Sequence, residues 1–96
     1  MSDYVINTGD REAFIAGLRE LADFLADTPA VLVPPRASLT LIVKSDNPEA
    51  RRTGAEAAAT SLGVPLEDLG EGCLSAYRKF GPLTYYVIAL PPEEYR

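Results

Sequence analysis

CLSAYRKFGPLTYYVIAL, from Cys73 to Leu90, is the stretch that says most about how the chain folds. Two eight-residue runs rich in aromatic and branched side chains, Cys73 to Phe80 and Leu83 to Leu90, flank the dipeptide Gly81-Pro82. This spacing predicts a β-hairpin. Gly-Pro is not a preferred hairpin dipeptide, so the loop is either these two residues or somewhat longer.

Alternation along these strands gives the hairpin two faces that both carry apolar residues. A two-residue loop puts Leu74, Ala76 and Val87 on one face, where we expect the helices to pack. The opposite face is then more open, and an exposed aromatic and aliphatic patch is typical of a protein interface. Its candidate interface residues are Tyr77, Lys79, Thr84, Tyr86 and Ile88. The alternative is that the segment Ala30 to Pro35 covers this face.

DREAFIAGLRELADFLADTP, from Asp10 to Pro29, predicts an amphipathic helix from about Asp10 to Asp27. At about 100° per residue, its leucines and Phe14 share one side and its charged residues the other. Asn7, Thr8 and Asp10 are the candidate N-caps. We expect this helix to supply most of the helical core. The short apolar lead from Tyr4 to Ile6 is a candidate β-extension.

The middle of the chain supplies the remaining elements. The start and stop signals of a helix are present: Asn47 is a typical N-cap, Pro48 a typical first residue, and Gly63 a typical residue after the last turn. The predicted elements are a linker from Thr28 to Arg36 whose apolar residues pack on the domain, a strand from Ser38 to Lys44, a helix from Pro48 to about Leu62, and a short strand within Val64 to Leu69.

The resulting order, α-β-α-β-β-β, predicts one α+β domain over residues 1–96. We expect a two-layer sandwich, with two helices packed on one face of a mainly antiparallel sheet of three to four strands.

Composition excludes several chemistries. The chain has 96 residues, a net charge of −5, one cysteine and no histidine. Zinc sites of Cys and His and imidazole-dependent catalysis are therefore excluded. Its basic residues are scattered except for Arg51 and Arg52, which disfavours nucleic-acid binding. We expect that pair to form local ion pairs with Glu49 or Glu56 rather than an anion site.

No residue pattern marks a catalytic, cofactor or metal site, so we expect no enzyme activity and no cofactor. The acidic residues Glu67, Asp68 and Glu71 lack the spacing of a calcium loop and indicate a polar turn. Cys73 is expected to be a buried structural thiol. The first ten residues do not resemble a signal peptide, and no apolar run is long enough to span a membrane. We therefore expect a cytoplasmic protein that binds no membrane.

Three stretches of the chain together mark a resemblance: AFIAGLRELADFLADTP at Ala13 to Pro29, VLVPP at Val31 to Pro35, and RKFGPLTYYVIALP at Arg78 to Pro91. The chain resembles a family of small uncharacterised proteins from actinobacteria and their bacteriophages. The resemblance implies an actinobacterial or phage origin. It implies no catalytic residue.

These observations favour a noncatalytic protein-binding or regulatory module of phage or mobile-element type. We expect it to bind a protein partner, and to self-associate as a homodimer, through the open face of its C-terminal hairpin. The alternative is an acidic decoy that inhibits a nucleic-acid-binding host protein, based on the charge of −5. A small enzyme or ligand carrier would need a deep polar pocket, which no pattern in the sequence indicates.

Overall fold

The computed structural model of the chain describes residues 5–6 and 8–91. Its elements confirm an α+β fold with the predicted order, preceded by a two-residue strand where the β-extension was expected. Tyr4 and Asn7, which were parts of that extension and of the capping prediction, lie outside the described residues. The elements are β1 (Val5–Ile6), α1 (Arg11–Asp27), β2 (Ala37–Lys44), α2 (Pro48–Leu62), β3 (Glu67–Gly70), β4 (Cys73–Phe80) and β5 (Leu83–Leu90).

The described strands form one sheet in the order β1-β2-β5-β4-β3. Three of the four neighbouring pairs are antiparallel, which confirms the mainly antiparallel sheet. The exception is the parallel pair of β2 and β5, in register from Ala37 opposite Leu83 to Lys44 opposite Leu90. β5 is therefore the central strand, with one parallel and one antiparallel neighbour.

The β4–β5 hairpin has the predicted bounds and closes with the two residues Gly81 and Pro82, so that Phe80 pairs with Leu83. Gly81 has a φ of 63°. A type I′ turn needs positive φ at both loop residues, which proline cannot adopt, so this loop is compatible with type II′. The carbonyl of Pro82 accepts a hydrogen bond from the Ala37 amide at 3.2 Å, so β2 begins beside this loop.

α2 begins and ends as its sequence signals predict. The Asn47 side chain accepts hydrogen bonds from the amides of Glu49 and Ala50, at 2.8 and 3.3 Å. Gly63 ends the helix in the left-handed conformation, with a φ of 72°. Since glycine adopts this conformation without a side-chain clash, it is the residue expected at this position.

The buried core lies between α2 and one end of the sheet, where α2 packs on β4, β5 and β2. Small residues line the helix side, so the helix axis approaches the strands closely. The buried apolar residues among those described are Val43, Ala50, Ala55, Ala59, Leu74, Ala76, Val87 and Ala89. Five of these eight are alanine, so the core is small.

The prediction that α1 supplies most of the helical core is wrong. The helix forms, and its N-cap is Asp10, whose side chain accepts a hydrogen bond from the Ala13 amide at 3.2 Å. However, none of its residues is buried, and it does not pack on the sheet as α2 does. The reason lies in the connections: three residues join β2 to α2 and return α2 directly to the sheet, whereas α1 is separated from β2 by a proline-rich linker.

That linker, Thr28 to Arg36, also differs from expectation. Its apolar residues were expected to pack on the domain, yet Val31 and Val33 are exposed and Leu32 is 91% exposed. Prolines at 29, 34 and 35 restrict the path to extended conformations that carry these side chains away from the sheet. Of the segment that was the alternative cover of the Tyr77 and Tyr86 face, Pro35 lines a groove with Tyr86, but the exposed side chains from Val31 to Val33 do not bury this face.

Arg51 is a buried cation that connects three segments. It is 5% exposed, and its Nη1 donates a hydrogen bond to the carbonyl of Ser45 at 2.9 Å. A Cβ added at Gly72 would lie 3.0 Å from its Nη2 and 3.5 Å from the Cβ of Pro91. The Arg51 side chain thus holds the start of α2 against the β3–β4 turn.

This contact predicts a difference between two glycines of the same turn. Gly70 and Gly72 have φ angles of 85° and 83°, but a Cβ at Gly70 would have no atom within 4 Å. Gly70→Ala should lower the free energy of unfolding by about 1 kcal/mol, the cost of a left-handed alanine. Gly72→Ala should lower the free energy of unfolding by at least about 1 kcal/mol more than Gly70→Ala does, because it also displaces the buried guanidinium of Arg51. Urea unfolding of both variants measures the difference, and equal losses would contradict it.

Candidate interface on the hairpin

The five predicted interface residues lie on one face of the hairpin, opposite α2. Register pairs Tyr77 with Tyr86, Lys79 with Thr84, and Ser75 with Ile88. The opposite face of the hairpin, which carries Leu74, Ala76 and Val87, is buried beneath α2. We call the set Tyr77, Lys79, Thr84, Tyr86 and Ile88 the hairpin face. No described helix packs on it.

Two tyrosines form the centre of the hairpin face. The ring centroids of Tyr77 and Tyr86 are 5.5 Å apart with a 40° angle between the ring planes. The two side chains are 38% and 36% exposed. Tyrosine offers a large apolar area with few rotatable bonds, which is why it is enriched in protein interfaces. The pair therefore forms a rigid aromatic platform at the surface.

β2 extends this surface, which the sequence analysis did not include. Ile42 pairs with Ile88, and Thr40 pairs with Tyr86, across the parallel β2–β5 ladder. Both β2 residues are exposed. Alternation within β2 already separates Ile42 from the residues that face α2, but only the strand order places it beside Ile88.

An open groove of about 570 Å³ lies at the loop end of the hairpin face. Its lining includes Lys79, Thr84 and Tyr86 from the hairpin, and Pro35, Arg36 and Ser38 from the start of β2 and the residues before it. The ion pairs among the described residues involve neither Arg36 nor Lys79. The groove therefore presents two cationic side chains next to an aromatic one, on a chain whose net charge is negative.

The paired arginines of α2 both have local partners. Arg52 lies 3.7 Å from Glu56 and 3.0 Å from Asp68, so an ion pair with Glu56 forms as expected. Arg51, for which an ion pair with Glu49 or Glu56 was expected, is instead buried and donates a hydrogen bond to the Ser45 carbonyl. Exposed ion pairs of the Arg52 kind contribute little to stability.

The acidic turn and the cysteine show local structural roles. One carboxylate oxygen of Asp68 accepts a hydrogen bond from the Gly70 amide at 2.9 Å, and the other accepts one from Arg52. Across residues 8–91, no three of Cys, Asp and Glu are placed to hold a metal ion together. Cys73 is half-buried rather than buried as expected. Neither described helix is long and apolar enough to cross a membrane.

Comparison with known protein families, with curated proteins and with solved structures gave no match. The resemblance to small actinobacterial and phage proteins therefore stays a prediction. Function has to be inferred from the surfaces of the chain itself.

Arg78 and Lys79 are neighbours in β4 with opposite roles. Nη1 of Arg78 donates a hydrogen bond to the Leu62 carbonyl at 3.2 Å, at the C-terminus of α2. Its guanidinium carbon lies 5.4 Å from the ring centroid of Phe80. A cation at this end of a helix also interacts favourably with the helix dipole. Lys79 points to the other face and lines the groove.

The difference predicts that these adjacent cations contribute unequally to stability. Arg78→Ala should lower the free energy of unfolding by about 1 kcal/mol, since it removes a helix-terminal hydrogen bond and a cation–π contact. Lys79→Ala, the matched control on the hairpin face, should change it by less than about 0.5 kcal/mol. Chemical denaturation of both variants provides the measurement. A loss at Lys79 as large as that at Arg78 would show that the hairpin face is part of the folded core.

Proposed function

We propose that the chain is a noncatalytic protein-binding or regulatory module that binds its partner through the hairpin face. The observation that carries this proposal is the exposed tyrosine pair on a sheet surface that no described helix covers. Partly exposed aromatic residues at the centre of a surface are the usual anchors of protein interfaces. The groove on the same surface is open rather than enclosed, which suits another protein better than a small molecule.

The groove defines the chemistry of the partner. Arg36, Lys79 and Tyr86 line the same groove, so the complementary surface carries an acidic side chain beside an apolar or aromatic one. The acidic group would make charge-assisted hydrogen bonds to the two cations. The apolar group would pack on the Tyr77–Tyr86 platform and exclude water from these bonds.

The setting of this module follows from the resemblance, and it belongs to the same proposal. We place it in the cytoplasm of an actinobacterial cell, as a protein of phage or mobile-element type. A weaker contact between copies through the hairpin face also belongs to the proposal, because the Tyr77 and Tyr86 rings of one copy can pack on those of another.

The alternative function, an acidic decoy for a nucleic-acid-binding protein, has less support. A decoy needs a continuous acidic surface that imitates phosphates. On α2 and β3, Arg52 lies between Glu56 and Asp68 and neutralises part of that surface. The groove on the hairpin face is cationic rather than acidic.

The proposal predicts the behaviour of a variant with two charges on the hairpin face. Tyr86→Glu combined with Ile88→Glu places two carboxylates on the platform and should reduce recovery of a bound protein from actinobacterial lysate at least about tenfold, the effect of losing about 1.4 kcal/mol. Quantitative affinity capture with tagged chains measures this.

The control places the same charges elsewhere. Ala57→Glu combined with Ser61→Glu adds two carboxylates to the exposed side of α2 and should leave capture unchanged. Because Ile88 is half-buried, Lys79→Glu serves as a second variant that reverses one charge of the groove without touching packed residues. Equal capture by wild type and both hairpin-face variants would refute the proposed surface, as would an absence of any captured protein.

A further inference from the structure

α1 leaves a broad apolar surface without a partner. Its large apolar side chains are exposed, including Leu21 at 54% and Phe24 at 52%. A helix of 17 residues with such a face is not expected to stay helical in water without packing on another surface. We call this surface the α1 apolar face; it consists of Phe14, Ile15, Leu18, Leu21 and Phe24.

The sheet has a second apolar surface that lacks a cover, on the side where α2 packs. α2 covers the end of the sheet that carries Val43, Leu74 and Ala89. At the other end of the same side, Phe80 and Leu83 are 55% and 52% exposed, and Leu39 is also exposed. We call Leu39, Phe80 and Leu83 the uncovered end. The register of β4 and β5 places Phe80 directly opposite Leu83.

The α1 apolar face and the uncovered end are both apolar, but they lie apart within one chain. The linker enters β2 at Ala37, beside the Gly81-Pro82 loop, so it leaves the sheet at the uncovered end. Its three prolines favour an extended path. The radius of gyration is 15.7 Å, whereas a compact domain of this length has about 12.5 Å. The chain is therefore extended: α1 projects from its own sheet, with four residues joining it to β1 at one end and the linker joining it to β2 at the other.

We infer that two copies of the chain form a symmetric dimer in which α1 of each copy packs on the uncovered end of the other. Such an exchange covers both apolar surfaces of both copies and lets the proline-rich linker stay extended. The contact is isologous, because each copy donates a helix and receives one. This goes beyond the proposed function, since the hairpin face lies on the opposite side of the sheet and stays free for a partner.

The area of these contacts reaches the lower limit for a specific interface. A helix of 17 residues is about 25 Å long and its side chains about 10 Å wide, so it covers about 250 Å² of each surface it contacts. Two helix–sheet contacts have four such surfaces and bury on the order of 1,000 Å² in total, which is about the smallest area expected of a specific interface.

The test measures molecular mass by size-exclusion chromatography with light scattering at low micromolar concentration. The wild type should have twice the chain mass of 10.4 kDa. Leu18→Glu on α1 and Leu83→Glu on the sheet should each give the mass of a monomer, since each charge lies in both symmetric contacts. An equal mixture of the two variants should have a higher average mass than either variant alone, because one of the two contacts is restored: α1 of Leu83→Glu packs on the sheet of Leu18→Glu.

The matched control is Ala16→Glu, which adds the same charge to the polar side of α1 and should keep the dimer. Circular dichroism checks that each variant is folded, and Phe80→Lys replaces Leu83→Glu if that variant is not. Tyr86→Glu combined with Ile88→Glu should keep the dimer, which separates this inference from the proposed function. A monomeric wild type, or a dimer that persists in both Leu83→Glu and Phe80→Lys, would overturn the exchange.

Discussion

The close approach of α2 to three strands is the contact on which the rest of the structure depends. Alanines at 50, 55 and 59 let the helix lie near Val43, Val87 and Ala89, all of which are almost completely buried. Small side chains allow this distance but remove little apolar area from water, at about 25 cal/mol per Å². The fold therefore has a tightly packed but small core at one end of the sheet, and the other end needs a further apolar cover.

Local signals in the sequence were sufficient for the elements closest to the core. Asn47, Pro48 and Gly63 define α2 because each acts within one turn of its own position. The hairpin was equally predictable, since its two strands adjoin in sequence. The parallel pairing of β2 with β5 was not predictable, because residues far apart in the chain form it and no turn determines it. The partner of α1 was also beyond prediction: amphipathicity shows that a face needs a cover but not which surface supplies it.

In the candidate site, too, contacts between neighbouring strands of the sequence were predictable and contacts between distant strands were not. Alternation alone placed Tyr77 and Tyr86 on one face, and the register confirms that they are opposite each other. The groove, in contrast, depends on Arg36 and Ser38 lying beside the hairpin, which follows only from the β2–β5 pairing. Ile42 was missed as a neighbour of Ile88 for this reason. A sequence can thus show the residues of a surface on one hairpin, while the parts that other strands contribute require the strand order.

The central position of β5 has a consequence for how the sheet assembles. β5 leaves the ribosome after every other described strand, yet both β2 and β4 need it as their neighbour. Until it arrives, the pairing edge of β2 stays open while α2 is already available to fold beside it. Contacts between such distant segments are slow to form, and open strand edges attract other chains in the meantime. Nascent chains of this protein are therefore most vulnerable to aggregation in the interval between synthesis of β2 and synthesis of β5.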